Sequence, residues 1–270
     1  MEFKGSARGS VGVEYELQLL DERTLDLADG ILPLLELTRD DPCIEAEYNQ
    51  STVEIVSEVM RDVHALEAHL LDQVGLLRSK CRELGMKICS GATHPFCNRL
   101  ATVTPFPRYR QVEATAGYAG AIQMVCATHV HVGVPSGQEA VRLMRRMRPY
   151  LPVMLAISAS SPFFMGVDTG FAAYRPRVLV AAHSYGTPPP VRTWKEFEAI
   201  WGAARRADVF HTFKDMHWDI RPKPELGTVE VRIMDAQPTV HGTVALVSLV
   251  RMVMEYIKSH QQDREPPLLP

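Results

Sequence analysis

Three stretches of this chain alternate apolar and polar residues, and each puts two chemically capable side chains at its polar positions. They are Val13-Glu14-Tyr15-Glu16-Leu17, Thr128-His129-Val130-His131-Val132 and Val229-Glu230-Val231-Arg232-Ile233. Successive side chains of a strand point to opposite faces, so each stretch buries its apolar set and aims its polar pair the other way. Strands carrying Glu/Glu, His/His and Glu/Arg pairs can therefore line one acidic, metal-capable floor. This pattern points to divalent-cation chemistry on a sheet.

The 270 residues allow one large or two small domains. There is no internal repeat and no clear linker, so a single domain over 1–270 is expected, with a disordered tail from about 261 to 270. Apolar residues at 46% and charged residues at 23% are ordinary for a soluble globular chain. A net charge of −3 argues against a nucleic-acid partner, which usually calls for a basic excess. The five cysteines (Cys43, Cys81, Cys89, Cys97, Cys126) are odd in number and form no CxxC pair. They are expected as small buried hydrophobes in a reducing cytoplasm, not as a disulfide framework. The N-terminus lacks the apolar core of a signal peptide. No apolar run approaches the roughly eighteen residues of a membrane span, so no membrane partner is expected.

Strands are predicted at 11–20, 52–59, 86–90, 123–134 and 227–234. Val63, Leu66, Leu70, Val74, Leu77, Cys81 and Leu84 recur at helical steps, and Gly85 stands where a helix-ending glycine belongs. A helix is also predicted over 111–122. Ser136…Glu139 and Thr193…Glu196 are capping boxes, starting helices that run to about Pro149 and Arg206. Pro149 and Pro152 divide the helical stretch that continues toward Ser158. A last helix spans about 241–258. Residues 99–110 read as a loop, and 165–192, rich in Gly and Pro, as an extended loop over the sheet. Arg142, Arg145, Arg146 and Arg148 read as a solvated or oligomer-facing helix surface. Strands separated by helices without a clean βαβ rhythm indicate an α+β fold. Neither GxxxxGK[ST] nor GxGxxG occurs, so a nucleotide would have to be held another way.

Glu14, Glu16, Glu47, Glu54 and Glu230 all lie in or near strand-like, apolar surroundings. Glutamate is seldom buried unless it is paired or binds a metal. One such residue alone is as well explained by a solvated sheet face, but several beside His129 call for a cation. Oxygen-rich sites suit Mg²⁺ or Mn²⁺, and no third His or Cys completes a zinc site. Arg232 shares a face with Glu230, and its planar fork suits phosphate or carboxylate oxygens. Arg175 and Arg221 are further clamp candidates.

The order of these pieces resembles the glutamate–cysteine ligase superfamily, nearest to its bacterial type 2, or carboxylate–amine ligase, branch. The resemblance rests on Val-Gly-Val-Glu14-Tyr-Glu16-Leu, Glu47-x6-Glu54-Ile-Val, Thr-His129-Val-His131-Val-Gly-Val-Pro and Trp-Asp-Ile-Arg221-Pro-x-Pro-x-x-Gly-Thr-Val-Glu230-Val-Arg232-Ile-Met-Asp235, spanning residues 11 to about 255. It implies a curved, mostly antiparallel sheet with helices on one side, like the glutamine synthetase catalytic fold. It implies ATP and Mg²⁺ (or Mn²⁺) as cofactors and an acid and an amine as substrates, glutamate and cysteine being the best-known pair. Glu16, Glu47 and Glu54 would hold one metal group, and Glu14, His129 and Glu230 another. Arg232 and Glu230 would be catalytic, with Arg232 and Arg221 contacting the nucleotide. Arg175 would clamp a substrate carboxylate, with His131 supporting the substrate side. Relatives of this branch usually carry further helices beyond the one that follows Glu230. A compact member with another substrate and a site completed by a partner chain both stay open, and a homodimer is expected. Two rival readings are a non-catalytic binding or regulatory relative and a metal-dependent hydrolase built on His129 and the glutamates.

Overall fold

In the computed structural model of the chain, residues 1–181 and 184–260 are described. The expected disordered tail at 261–270 lies outside them. The elements follow in the order β1 (Val11–Asp21), α1 (Ile31–Leu37), β2 (Ile44–Ala46), β3 (Thr52–Val56), α2 (Val63–Glu83), β4 (Met86–Cys89), α3 (Pro107–Ala121), β5 (Thr128–Gly133), α4 (Gly137–Met147) and α5 (Leu151–Ser158). They continue with β6 (Phe163–Phe164), β7 (Val167–Asp168), α6 (Arg175–Leu179), α7 (Trp194–Arg206), β8 (Ile220–Lys223), β9 (Thr228–Val231) and α8 (Val240–Ser259). The main sheet has seven strands in the order β2-β3-β1-β5-β9-β8, and β4 pairs with the far end of β1. Its pairings are antiparallel. The α+β, mostly antiparallel architecture read from the sequence is the one found.

The alternation in the sequence sorts the two faces. Val11, Val13, Tyr15, Leu17 and Leu19 of β1 join Val130, Val132, Val229 and Val231 on the core side. Leu66, Leu70 and Leu77 of α2, Leu143, Met144 and Met147 of α4, and Val247, Val250 and Met254 of α8 belong to the same core. Full burial of such side chains contributes about 1.5–3 kcal/mol each, so this one-sided layer is what fixes the register. Tyr15 lies among them, and its hydroxyl donates to the Gln237 carbonyl. At Gly133, any Cβ would collide with the Ala7 carbonyl and the Ser10 hydroxyl, so the N-terminal segment can lie directly against β5.

Several expectations need correction. Residues 107–110 open α3, with Pro107 in its first turn, where a missing N–H costs nothing. Gly117 breaks that helix with φ +52° and ψ −132°. The 165–192 region holds the second strand of the β6–β7 hairpin and the short helix α6. β2, β8 and α1 were not anticipated. Of the arginines on α4, Arg145 is buried, and Arg146 donates to the Ile257 and His260 carbonyls at the end of α8. Four cysteines are buried but Cys89 is exposed. By length and composition α8 does pass the test for a membrane span. Its packing onto α2, α4, β1 and β5 makes it a core helix.

Candidate active site

The opposite face of the sheet carries the polar pairs in register. Glu16 is opposite Glu54, which is opposite Glu45. Glu14 is opposite His129, His131 is opposite Glu230, and Glu230 is opposite Arg221. The floor therefore runs from an acidic edge at β2, β3 and β1 to a basic edge at β9 and β8. Above it is a cavity of about 490 Å³, lined by Glu14, Glu16, Glu47, Glu54, His129, Arg175, Arg221 and Arg232 among others.

Two groups of oxygen and nitrogen donors converge closely enough for a cation: Glu14, His129 and Glu230, and Glu16, Glu54 and His129, with the donor atoms of each group within 4.8 Å of one another. Glu47 lines the same cavity, and one of its oxygens accepts the Tyr48 N–H at 2.9 Å. His129 serves both groups, with Nδ1 2.8 Å from Glu14 Oε2 and Nε2 3.7 Å from Glu16 Oε1. Burial, helped by the charge of Arg232, pushes its pKa down to about 4, so the ring is neutral at pH 7. A neutral imidazole whose Nδ1–H donates to a carboxylate presents Nε2 as a metal ligand.

The acidic edge is electrostatically unfinished. Burial and the neighbouring Glu47 raise the Glu16 carboxyl to about 8. Burial and the charge of Glu14 raise Glu47, and burial with repulsion from Glu14, Glu47 and Glu16 raises Glu54 well above the usual range. Glu54 Oε1 is buried with no hydrogen-bond partner among the described residues. An orphaned carboxylate oxygen among mutually repelling carboxylates fits a divalent cation with hard oxygen ligands. Glu14 differs. Burial alone would raise its carboxyl, but the charge of His131 and hydrogen bonds from His129 and His131 hold it well below the carboxylate range.

The basic edge is tightly knit. Glu230 is fully buried, and Arg221 grips it with Nε at 2.6 Å and Nη2 at 3.1 Å. Arg232 Nη1 donates to Glu230 Oε1 as well. Burial opposes the charge on Glu230, but the two arginines keep its carboxyl well below normal. The Arg232 guanidinium makes no other hydrogen bond to the described residues apart from a long 3.4 Å approach to His129, and it faces the cavity.

The structure gives three of the expected residues a different setting. Arg221 lines the cavity, but it spends its donors on Glu230 and on the Phe213, Lys214 and Met216 carbonyls, which makes it a holder of Glu230. His131 is buried under Glu14, with its ring nitrogens at 3.1 Å from Glu14 Oε1 and 3.0 Å from Thr228 Oγ1, and it does not line the cavity. Arg175 reaches the cavity wall, but its Nε donates to Asp235 at 3.1 Å and its Nη2 to the Arg232 and Met234 carbonyls at 3.0 Å.

Other lining residues escaped sequence reasoning: Arg108 and Tyr109 of α3, Tyr185, Lys214, His217 and Lys223. Tyr185 stacks on His217 with ring centres 4.6 Å apart. Tyr185, Lys214 and His217 come from loops or irregular turns, where no periodicity marks a facing side chain. The only signal for Tyr185, Lys214, His217 and Lys223 was nearness in sequence to the Gly/Pro-rich region and the Trp218-Asp-Ile-Arg221 segment, and Arg108 and Tyr109 had none.

The model of glutamate-cysteine ligase family 2 matches residues 10–264. A protein of Trichormus variabilis named "Putative glutamate--cysteine ligase 2" is 43% identical over 269 residues, covering 100% of this chain and 70% of the relative. A protein of the same name from Cupriavidus metallidurans is 36% identical over 265 residues, covering 94% of this chain and 70% of its own. Among solved structures, a bifunctional glutathione synthetase from Pasteurella multocida superposes with a TM-score of 0.66 at 12% identity, covering 91% of this chain and 39% of that one. The glutamate–cysteine ligase of Francisella tularensis, in complex with AMP, gives 0.58 at 11% identity over 100% of this chain and 69% of its own. These two similarities concern the fold.

Proposed function

The chain belongs to glutamate-cysteine ligase family 2 and is thereby a carboxylate–amine ligase, and from that premise we propose that it uses ATP to join a glutamate-like acid to an amine, such as the amino group of cysteine. The acid's carboxylate attacks the terminal phosphorus of ATP, forming an acyl phosphate and releasing ADP. The amine then attacks the acyl carbon, and phosphate leaves as the amide forms. The observation that carries this reading is the acidic edge of the floor, where Glu16, Glu47 and Glu54 line one cavity and Glu54 keeps an oxygen with no hydrogen-bond partner among the described residues. The rival readings have no comparable support, since the matches are to ligases along the whole chain.

On this reading Glu16, Glu47 and Glu54 hold one divalent cation, and Glu14, His129 and Glu230 hold another; Mg²⁺ is the preferred ion and Mn²⁺ a substitute. Such cations neutralise charge on the phosphoryl oxygens. Arg232 aims its remaining donors into the cavity, where they meet oxygens of the transferring phosphoryl group. Glu230 holds that guanidinium in place. His131 keeps Glu14 ionised, and Arg221 keeps Glu230 ionised. Arg175, anchored through Nε on Asp235 and through Nη2 on the Arg232 and Met234 carbonyls, offers its remaining Nη1 to a substrate carboxylate. A cytoplasmic setting and a homodimer complete the proposal.

Calorimetric titration with ATP, with and without Mg²⁺, tests it. Wild type should bind ATP in a Mg²⁺-dependent way, and Glu16→Gln should lose that dependence. ADP release should then follow only when a suitable acid is present. A well-folded wild type that binds no ATP under either condition would overturn the reading.

A further inference from the structure

We propose that Lys223 is a ligand-contacting residue of this site, holding the phosphate chain of the nucleoside triphosphate at the β8 edge of the floor. The proposal rests on the nucleotide-dependent reading above, but it concerns a residue outside the glutamate, histidine and arginine constellation.

Strand β8 is an edge strand, and Lys223 lies two residues beyond Arg221, on the same face. It stands opposite Thr228, whose hydroxyl meets His131. Pro222 and Pro224 flank it. Proline fixes its own φ and confines the preceding residue to extended backbone, so Lys223 projects from a stiff support.

The side chain is 7% exposed and lines the cavity. Among the described residues its ammonium makes no hydrogen bond and no ion pair within 4.0 Å, although Glu230 and Glu14 act on it at longer range. Glu230 is already held by Arg221 and Arg232. Glu225, another carboxylate lining the cavity near this edge, is not paired with Lys223. The stem is packed away while the ammonium opens onto the cavity with no partner of its own among the described residues, so its charge is free to meet an anion that enters. Arg108 and Lys214 line the same cavity, so the cation excess does not belong to Lys223 alone.

The anion's chemistry follows from the donor. An ammonium is a point charge with rotatable donors, which suits phosphate oxygens in any orientation, whereas a planar carboxylate is better met by an arginine fork. The cation excess at this edge calls for more than one negative charge, and the acidic edge opposite calls for cations. A cation-bound polyphosphate answers both.

Calorimetry with ATP and with inorganic tripolyphosphate, each in Mg²⁺, on wild type, Lys223→Met and Lys223→Gln decides the matter. Both variants should bind both ligands about tenfold or more weakly, as expected for loss of a charge-assisted hydrogen bond. Without ligand they should melt at about the wild-type temperature, because the ammonium has no partner within the described residues to lose. Their KM for the acid at saturating ATP should be unchanged. Equal binding of ATP and tripolyphosphate by wild type and variants would overturn the proposal and leave the ligase reading standing. A loss confined to the acid's KM would assign Lys223 to a carboxylate instead, and a lower melting temperature without ligand would make it structural; either result overturns the proposal. A wild type that binds neither ligand would remove the nucleotide reading and this proposal together.

Discussion

Two buried glutamates on one sheet face have opposite energetic characters. Glu230 accepts charge-assisted hydrogen bonds from Arg221 and Arg232, whereas Glu54 has an oxygen with no partner among the described residues and other carboxylates around it. Removing the charge of Glu230 leaves the buried Arg221 and the partly buried Arg232 without their counter-ion, and breaking such a pair costs about 3–5 kcal/mol. Removing the charge of Glu54 relieves repulsion. In urea denaturation at pH 8 with a chelator present, Glu230→Gln should therefore lose about 3–5 kcal/mol, whereas Glu54→Gln should match or exceed wild type. A large loss in Glu54→Gln would show that its carboxylate is paired in the metal-free protein after all. These glutamates, with His129, His131 and Arg232, were legible because each sits at a polar position in an alternating strand. Alternation gives the face a side chain points to and is silent about its partner. That is why His131 and Arg221 read as ligand contacts when they are holders of Glu14 and Glu230.

Element by element, legibility followed how far each segment depends on local pattern. β1, β5, β9, α2, α4, α7 and α8 carry clear periodicity or caps and were readable. β8 was not, because its sequence Ile-Arg-Pro-Lys contains a proline, which disqualifies a central strand but is tolerated at a sheet edge, where β8 lies. Residues 159–175 were equally opaque, because a tertiary bolt orders them. Asp235 is fully buried and accepts from the Ser160 N–H at 3.0 Å, the Ser161 hydroxyl at 2.6 Å and Arg175 Nε at 3.1 Å. Arg175 in turn donates to the Arg232 carbonyl. The bolt thus joins the loop before α6 to the backbone that carries Arg232. Arg175→Met should cost about 3–5 kcal/mol, as for other broken buried pairs, and Asp235→Asn should cost a similar amount, because it leaves Arg175 without its counter-ion and turns an amide N–H2 toward groups that already donate. Chemical denaturation of both variants checks this, and near-neutral behaviour of Arg175→Met would reduce Arg175 to a cavity-lining group alone.

For the whole molecule, the uneven charge of the floor ties stability to pH and to metal. A carboxyl whose folded pKa is raised binds its proton more tightly in the folded state, so stability falls as pH rises from the unfolded pKa through the folded one. Glu16, raised from 4.5 to about 8, acts in this sense up to about pH 8, and Glu47 and Glu54 act in the same direction. His129, lowered from 6.5 to about 4, works the opposite way, adding stability as pH rises from 4 to 6.5 and nothing above. His217 is depressed too and likewise stops contributing above 6.5. Glu14 and Glu230, both depressed, stay ionised throughout this range. Below about pH 6.5 the two trends oppose each other, and between about 6.5 and 8 only the destabilising one remains. The chelated protein should therefore melt progressively lower as pH rises across that window. A divalent cation binds the ionised carboxylates of the folded state, so its effect should grow with pH. At a hundredfold excess over its dissociation constant it stabilises by about 2.7 kcal/mol, enough to flatten or reverse the decline. Thermal melts from pH 6.5 to 8 with chelator and with Mg²⁺ would show two diverging curves. Parallel curves would mean that the carboxylates find their counter-charge inside the chain, and a cation would then have no reason to enter.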